Sequence, residues 1–141
     1  MKKSNSSDFL EIMEKHFEFL LRDLNFSIDE PYRDYAELIS ENCKVVVVAR
    51  NNQCSVSLRP MGATSDFLKS ENLKANSIEV EVILKRFAPQ EKFKTSYSIF
   101  ALEDIEAEVI RNVSLMKAHC VKLLQGDFSE WERLKNKRNV A

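Results

Sequence analysis

Apolar residues recur three and four positions apart in two parts of the chain, and this spacing predicts two amphipathic helices. Asp8 and Glu11 have the spacing of a capping box, so the first helix is predicted to open at Asp8, to cover roughly residues 8–24 and to stop at Asn25. The second helix is long and covers roughly residues 102–125. The apolar positions are Phe9, Ile12, Met13, Phe17, Leu20, Leu21 and Leu24 in the first helix, and Leu102, Ile105, Val109, Val113, Met116, Cys120 and Leu123 in the second.

Between these helices the pattern changes to alternation and β-branched runs, which indicate strands. The run "CKVVVVA" is too short for a typical helix and favours a central strand covered on both faces. In the segment that follows, Val56 and Leu58 face one side and two serines face the other. Strands are predicted at residues 26–28, 35–40, 43–49 and 54–59, with a tight turn at Glu41–Asn42. Together they predict an antiparallel meander.

Three shorter elements complete the pattern. A helical turn is predicted at residues 66–73, and a last short helix at about residues 130–137. Residues 77–87 fit both the alternation of a strand and the stripe of a helix; Pro89 after them favours a helix, and a strand stays the alternative.

The stretch "LLQGDFSEW" joins the long helix to the last one. Gly126 follows the last apolar pair of the long helix, where a left-handed residue is favoured. Ser129 is predicted to be the N-cap of the last helix, with Glu132 completing a capping box. Each residue then has a structural use, and Asp127 needs no catalytic role.

These elements predict an α+β fold of two layers: an N-terminal helix, an antiparallel β-meander, then a long C-terminal helix and a short last helix. The 141 residues suit a single domain over residues 1–141, with flexible ends at 1–7 and 138–141. No apolar core of a signal peptide follows the N-terminal lysines, and no stretch approaches the ~18 apolar residues of a membrane span. The sequence therefore predicts a cytoplasmic protein that does not contact the membrane.

Charge disfavours nucleic acid as a partner. The chain carries 21 Lys and Arg against 22 Asp and Glu, and its net charge of −1 provides no global attraction for phosphates. The C-terminal residues Arg133, Lys135, Lys137 and Arg138 form a local basic group, but no aromatic platform for bases accompanies them.

Residues that carry chemistry are sparse. The chain has 2 glycines where average usage would give about ten, which disfavours glycine-rich phosphate and oxyanion loops. Cys43, Cys54 and Cys120 have no CxxC spacing and are predicted to be reduced and buried. His16, His119 and Cys120 could supply zinc ligands, but adjacent helical residues point about 100° apart. The sequence therefore predicts no metal, no cofactor and no enzymatic activity, and a buried Cys120 is not expected to act as a nucleophile.

An acidic segment with interleaved tyrosines is the candidate partner-binding surface. Carboxylates and tyrosines on an edge segment suit a protein interface. The alternatives are an exposed, solvated connection, or tyrosines that cap the core. The residues are Asp29, Glu30, Tyr32, Asp34 and Tyr35.

Two parts of the chain together resemble small bacterial immunity proteins, which accompany polymorphic or contact-dependent toxins. The first is "HFEFLLRDLNFS" with "NCKVVVVARNNQCSVSLRPMG", and the second is "LLQGDFSEW". In that family a leading helix is followed by a β-meander, and a late helix closes with a similar Gly-Asp-Phe-Ser turn. The resemblance leaves out residues 63–100.

The resemblance implies a non-catalytic inhibitor that binds a cognate toxin domain in the cytosol. An acidic surface would suit the basic cleft of a nuclease, and complementary charge would speed association. The alternatives are a secretion-chaperone-like adaptor, which would form a homodimer, or another small protein-binding module.

Overall fold

Antiparallel strands in the middle of the chain form one sheet that supports the rest of the fold. The computed structural model describes residues 6–29, 35–50, 53–90 and 102–136. Within these residues the sheet has five strands in the order β1-β2-β3-β4-β5, so each strand pairs with its neighbour in the sequence. The strands are β1 (Ser27–Ile28), β2 (Tyr35–Ile39), β3 (Cys43–Arg50), β4 (Gln53–Pro60) and β5 (Ile78–Glu79). The predicted meander is confirmed, and β5 extends it by one strand.

Helices precede, interrupt and follow this sheet. They are α1 (Ser6–His16), α2 (Glu18–Asp23), α3 (Gly62–Ser70), α4 (Val80–Phe87), α5 (Leu102–His119), α6 (Val121–Leu124) and α7 (Phe128–Asn136). The predicted α+β class, with N-terminal helices, a meander, a long C-terminal helix and a short final helix, is confirmed.

The core lies between one face of the sheet and the helices. Register places Leu38, Val45, Leu58 and Ile78 side by side across β2 to β5, and all four are buried. They belong to one hydrophobic cluster with residues of the helices. We call the face of the sheet that carries these four residues the inner face. On the opposite face Val46 and Val48 are only partly buried, so the expectation of a central strand fully covered on both faces is wrong.

The first predicted helix is broken at Phe17 into α1 and α2. Phe17 is fully buried, and so is Leu20 after the break, so the apolar stripe continues across it. Helical geometry already includes Ser6 and Ser7, so Asp8 lies inside α1 rather than at its cap. Asn25 does stop the segment, with a left-handed φ of 58°.

The long helix is broken in the same manner. Cys120, with φ −115° and ψ 2°, separates α5 from α6 and is fully buried. Backbone hydrogen bonds continue through the break, from the Cys120 N–H to the Met116 oxygen at 2.8 Å and from the Leu124 N–H to the Cys120 oxygen at 2.9 Å. Apolar spacing does not reveal the break because the stripe resumes in phase.

The predicted helix at residues 77–87 and its alternative, a strand, are each partly right. Ile78 and Glu79 pair with β4, and the chain then turns directly into α4 at Val80. The helix predicted at residues 66–73 begins earlier, at Gly62, immediately after β4. Thr64 and Leu68 are its buried residues.

The turn before α7 follows the predicted pattern at Gly126 but not at Ser129. Gly126 has φ +79°, and the N–H groups of Gly126 and Asp127 donate to Leu123 and Lys122 at 3.0 Å each, which is a Schellman motif. The N-cap is Asp127, whose Oδ1 accepts from the N–H of Glu130 at 2.9 Å and from the Ser129 hydroxyl at 2.7 Å. The prediction of a Ser129 cap is wrong because the helix starts two residues earlier than predicted, at Phe128 rather than at residue 130.

A polar contact ties α1 to α5. The Nε2–H of His16 donates to Oε2 of Glu106 at 2.6 Å, and Nζ of Lys15 lies 3.8 Å from the same oxygen. The hydrogen bond from His16, with a smaller effect of Lys15, lowers the pKa of the Glu106 carboxyl below its usual value.

This pKa shift predicts a loss of stability in acid. A carboxyl whose pKa is lower in the folded state stabilises that state above its unfolded pKa, and this contribution is lost as pH falls through the folded pKa. Glu106→Gln should therefore flatten the pH dependence of the free energy of unfolding between roughly pH 5 and pH 2. Urea titrations over that range measure it. Glu11→Gln, at an exposed position of α1, is the matched control; equal slopes for Glu106→Gln and the unsubstituted protein would contradict the prediction.

Candidate interaction surface

The structure brings two of the five predicted partner-binding residues to one corner of the sheet. Asp29 is exposed and follows β1, and its backbone N–H donates to the backbone carbonyl oxygen of Glu37 at 2.9 Å. Tyr35 opens β2, two residues before Glu37 and on the same face. The other three predicted residues, Glu30, Tyr32 and Asp34, lie outside the described residues.

Tyr35 faces away from the core. Its neighbour Ala36 is on the inner face and is buried, and alternation places Tyr35 on the opposite side of β2. The alternative in which this tyrosine caps the core is therefore wrong for Tyr35. It belongs instead to a face of the sheet that the core cluster does not include.

We call this second face the outer face. Its central row runs from Glu37 through Val46 and Ser57 to Glu79, and Tyr35 lies opposite Val48 in the next row. The residues of the outer face are Tyr35, Glu37, Ile39, Lys44, Val46, Val48, Ser55, Ser57, Arg59 and Glu79.

The centre of the outer face is apolar and shallow. Val46 and Val48 lie on the central strand, and neither belongs to the core cluster or packs against it. Ser55 and Ser57 on β4 lie beside these valines, and their short side chains do not project above them. An aromatic residue beside two partly buried apolar residues suits the central part of a protein interface.

Charged groups surround this centre, and two of them form an ion pair within the sheet. Nζ of Lys44 lies 2.8 Å from Oε2 of Glu37, across a diagonal of β2 and β3, and both side chains are about one-fifth exposed, at 19% and 21%. Such cross-strand pairs fix side-chain positions before a partner arrives. Arg59 and Glu79 at the β4–β5 side are exposed, as is Asp29 at the other side.

The cysteine thiols are not placed for chemistry. All three cysteines are free and buried, as the sequence predicts. Burial raises the pKa of Cys54 and of Cys120 to about 12, and it raises the pKa of Cys43 further. Since the thiolate is the nucleophile, these thiols are unreactive near neutral pH.

Metal ligation has no site in the part of the chain that the structure describes. Within residues 6–29, 35–50, 53–90 and 102–136, no three His, Cys, Asp or Glu side chains are grouped to hold a metal ion. His16 is bonded to Glu106 instead, and Cys120 lies in the core.

The described residues of the basic C-terminal group pack against the protein itself. The Arg133 guanidinium lies 4.3 Å from the centre of the Phe87 ring and 2.5 Å from Oε1 of Glu130. Burial lowers the pKa of the Lys135 ammonium. Lys137 and Arg138 lie outside the described residues.

Comparison of this chain with models of known protein families, with curated proteins and with solved structures found no match. None of the helices in the described ranges is long and apolar enough to cross a membrane.

Sequence reasoning located one corner of the outer face but missed its centre. The signal was present: Glu37, Lys44, Val46 and Val48 occupy alternating positions of two adjacent strands. The buried-run interpretation of "CKVVVVA" concealed it, because that interpretation assigned both sides of β3 to the core.

Proposed function

We propose that this protein is a non-catalytic immunity protein that binds and neutralises a cognate bacterial toxin domain in the cytoplasm. One observation carries the choice of surface: the outer face presents Tyr35, Val46 and Val48 within a charged surround while the opposite face of the same sheet holds the core. The family resemblance supports the identity of the partner. In this proposal the corner with Asp29 and Tyr35 forms one side of the interface.

Binding energy is expected to concentrate at the apolar centre. In protein interfaces a few centrally placed residues carry most of the affinity, and exposed charges at the rim mainly affect the association rate. Tyr35, an aromatic residue of the type that dominates interface energetics, should thus contribute most to affinity, and the centrally placed Val46 should contribute more than the rim residue Asp29. The preformed pair of Glu37 and Lys44 would hold the rim in place.

A lysine at the centre of the outer face should abolish tight binding. Val46→Lys places a further ammonium at the interface centre, beside a Glu37 that already pairs with Lys44, and we expect the Kd to rise at least about 30-fold, which corresponds to ~2 kcal/mol. Tyr35→Ala should also weaken binding. Isothermal titration calorimetry measures both effects, with the toxin domain that the proposal expects to be encoded next to this gene, and circular dichroism should show an unchanged fold.

The matched control is Ile110→Lys. Ile110 lies on α5 and is 48% exposed, so it carries the same change of charge away from the outer face. In cells that express the toxin domain, the unsubstituted protein and Ile110→Lys should restore growth, whereas Val46→Lys should not. Absence of both protection and complex formation would overturn the immunity proposal, and a tight homodimer in light scattering would then favour the chaperone-like adaptor. Equal binding by Val46→Lys would overturn the choice of surface alone.

A further inference from the structure

Two cations face each other on the outer face, in the row next to its apolar centre. Lys44 on β3 and Arg59 on β4 are register partners, so both side chains project from the same side of the sheet. The Cβ atoms of directly opposite residues are about 5 Å apart, and like charges in such a pair are destabilising. The outer face therefore keeps an arrangement that does not favour the folded chain itself, which is typical of functional positions.

Among the described residues, only Lys44 of this pair has an anionic partner. Nζ of Lys44 lies 2.8 Å from Oε2 of Glu37. Arg59 is exposed and forms no ion pair with any residue in the part of the chain that the structure describes. Because Glu37 and Lys44 neutralise each other, Arg59 is the excess positive charge of its row.

The strand register also places a carboxylate diagonal to Arg59. Glu79 on β5 pairs with Ser57, which lies two residues before Arg59 on the same face. Arg59 and Glu79 are both exposed, and no ion pair joins these two described residues. A diagonal pair within the sheet is therefore the alternative that an experiment must separate from contact with a partner.

The surface beside Arg59 suits a carboxylate at the border of an apolar contact. Ser57 is the register partner of Val46, at the centre of the outer face. A guanidinium group donates two parallel hydrogen bonds to a carboxylate, and a serine hydroxyl is a further donor. A partner that packs on Val46 would therefore meet hydrogen-bond donors next to its apolar contact.

We propose that Arg59 receives a carboxylate of the partner, an aspartate or glutamate side chain of the toxin domain, and that this ion pair fixes the orientation of the partner on the outer face. The inference rests on the proposed immunity function, because it names the chemistry of the partner at that surface. The exposed carboxylate of Asp29 lies at the β1 side, three strands away from β4. A partner rotated by half a turn on the sheet would bring its carboxylate towards Asp29, and like charges reject such an orientation.

Binding of the full chain to the toxin domain expected next to this gene tests the inference. Arg59→Gln should raise the Kd about tenfold, mainly through faster dissociation, because a hydrogen-bonded charge pair is lost at the interface. Arg59→Glu should raise the Kd further, and Arg59→Lys should raise it less than Arg59→Gln, since it keeps the charge but not the paired hydrogen bonds. Biolayer interferometry measures both rates.

The matched control is Lys69→Gln. Lys69 is exposed on α3, so this variant has the same change of net charge away from the outer face and should bind as the unsubstituted protein does. A change in the association rate alone for Arg59→Gln, or an equal effect of Lys69→Gln, would indicate long-range steering and would overturn the assigned ion pair.

The free protein provides an independent measurement. Removing a cation opposite Lys44 relieves a repulsion, so Arg59→Gln should melt at the temperature of the unsubstituted protein or above it. A pair between Arg59 and Glu79, or another role of Arg59 in the fold, would instead lower the melting temperature. A fall of more than roughly 3 °C would overturn the inference.

A cross-link identifies the group that Arg59 meets. In the complex formed by Arg59→Lys, a water-soluble carbodiimide should join the amine at position 59 to a carboxylate of the toxin domain through an amide bond. Peptide mass spectrometry locates both residues. Absence of this cross-link in a complex that forms would contradict the proposed contact.

The outcomes separate this inference from the proposed function. If the unsubstituted protein formed no complex, the immunity proposal would be overturned and this inference with it. If a complex formed and its Kd were unchanged by both Arg59→Gln and Arg59→Glu, the immunity function would stand and the role of Arg59 would be overturned.

Discussion

Replacing Trp131 by alanine should lower the free energy of unfolding by about 3–5 kcal/mol. Trp131 is fully buried where α7 packs on the rest of the core, and its Nε1–H donates to the Leu123 oxygen at 2.8 Å. Removing the ring leaves a cavity between α6 and α7 and removes the only tryptophan of the chain. The melting temperature should fall by more than roughly 10 °C for a chain of this size.

Trp131→Phe separates packing from hydrogen bonding. The phenyl ring keeps most of the volume but lacks the N–H donor, so the cost should be about 1–2 kcal/mol. The Leu123 oxygen still accepts from the Gly126 N–H at 3.0 Å, so it is not left without a partner. Urea unfolding followed by far-UV circular dichroism measures both variants. A cost below about 1 kcal/mol for Trp131→Ala would show that α7 contributes little to the cooperative core.

Gly126→Ala is expected to cost about 2–5 kcal/mol, although it adds a single methyl group. A left-handed backbone costs a non-glycine residue about 1–2 kcal/mol, and overpacking typically costs about 1–3 kcal/mol more. The new Cβ would lie 2.5 Å from Cβ of Asn42 and 2.9 Å from Oγ1 of Thr64. Cβ of Asn42 cannot rotate away, and Thr64 donates to the Gly126 oxygen at 3.1 Å, so relief requires a movement of α6 against the turn.

Asn72→Gly is the control for backbone conformation. Asn72 also has a left-handed φ, 60°, but it is exposed after α3. Removing its side chain should change stability by no more than about 0.5 kcal/mol. If thermal unfolding showed Gly126→Ala to be as mild as Asn72→Gly, the close approach of α6 to the β2–β3 turn would be wrong.

Local pattern was informative where each residue's environment is set by its near neighbours. Alternation of Val56 and Leu58 with serines identified β4 and its inner face, because side chains of a strand point alternately to its two sides. Gly126 and Asn25 were identified as stops because few other residues tolerate a left-handed backbone.

Local pattern was insufficient where one continuous helix and two consecutive helices would show the same apolar spacing. The breaks at Phe17 and Cys120 leave the buried stripe in phase, so periodicity predicts one helix where there are two. The cap at Asp127 was missed because Asp127 and Ser129 are both good caps and both have a glutamate three residues later. Only the position at which α7 packs distinguishes them.

The sequence alone predicted the α+β class, the order of the main helices and strands, and the buried state of the cysteines, because these follow from periodicity and apolar composition. Contacts between distant residues set the rest. Pairing of β2 with β3 assembled the outer face from positions that alternate with core residues, and the close approach of Gly126 to Asn42 placed the end of α6 against the β2–β3 turn. Such surfaces are built from separate segments whose relative placement no local spacing encodes.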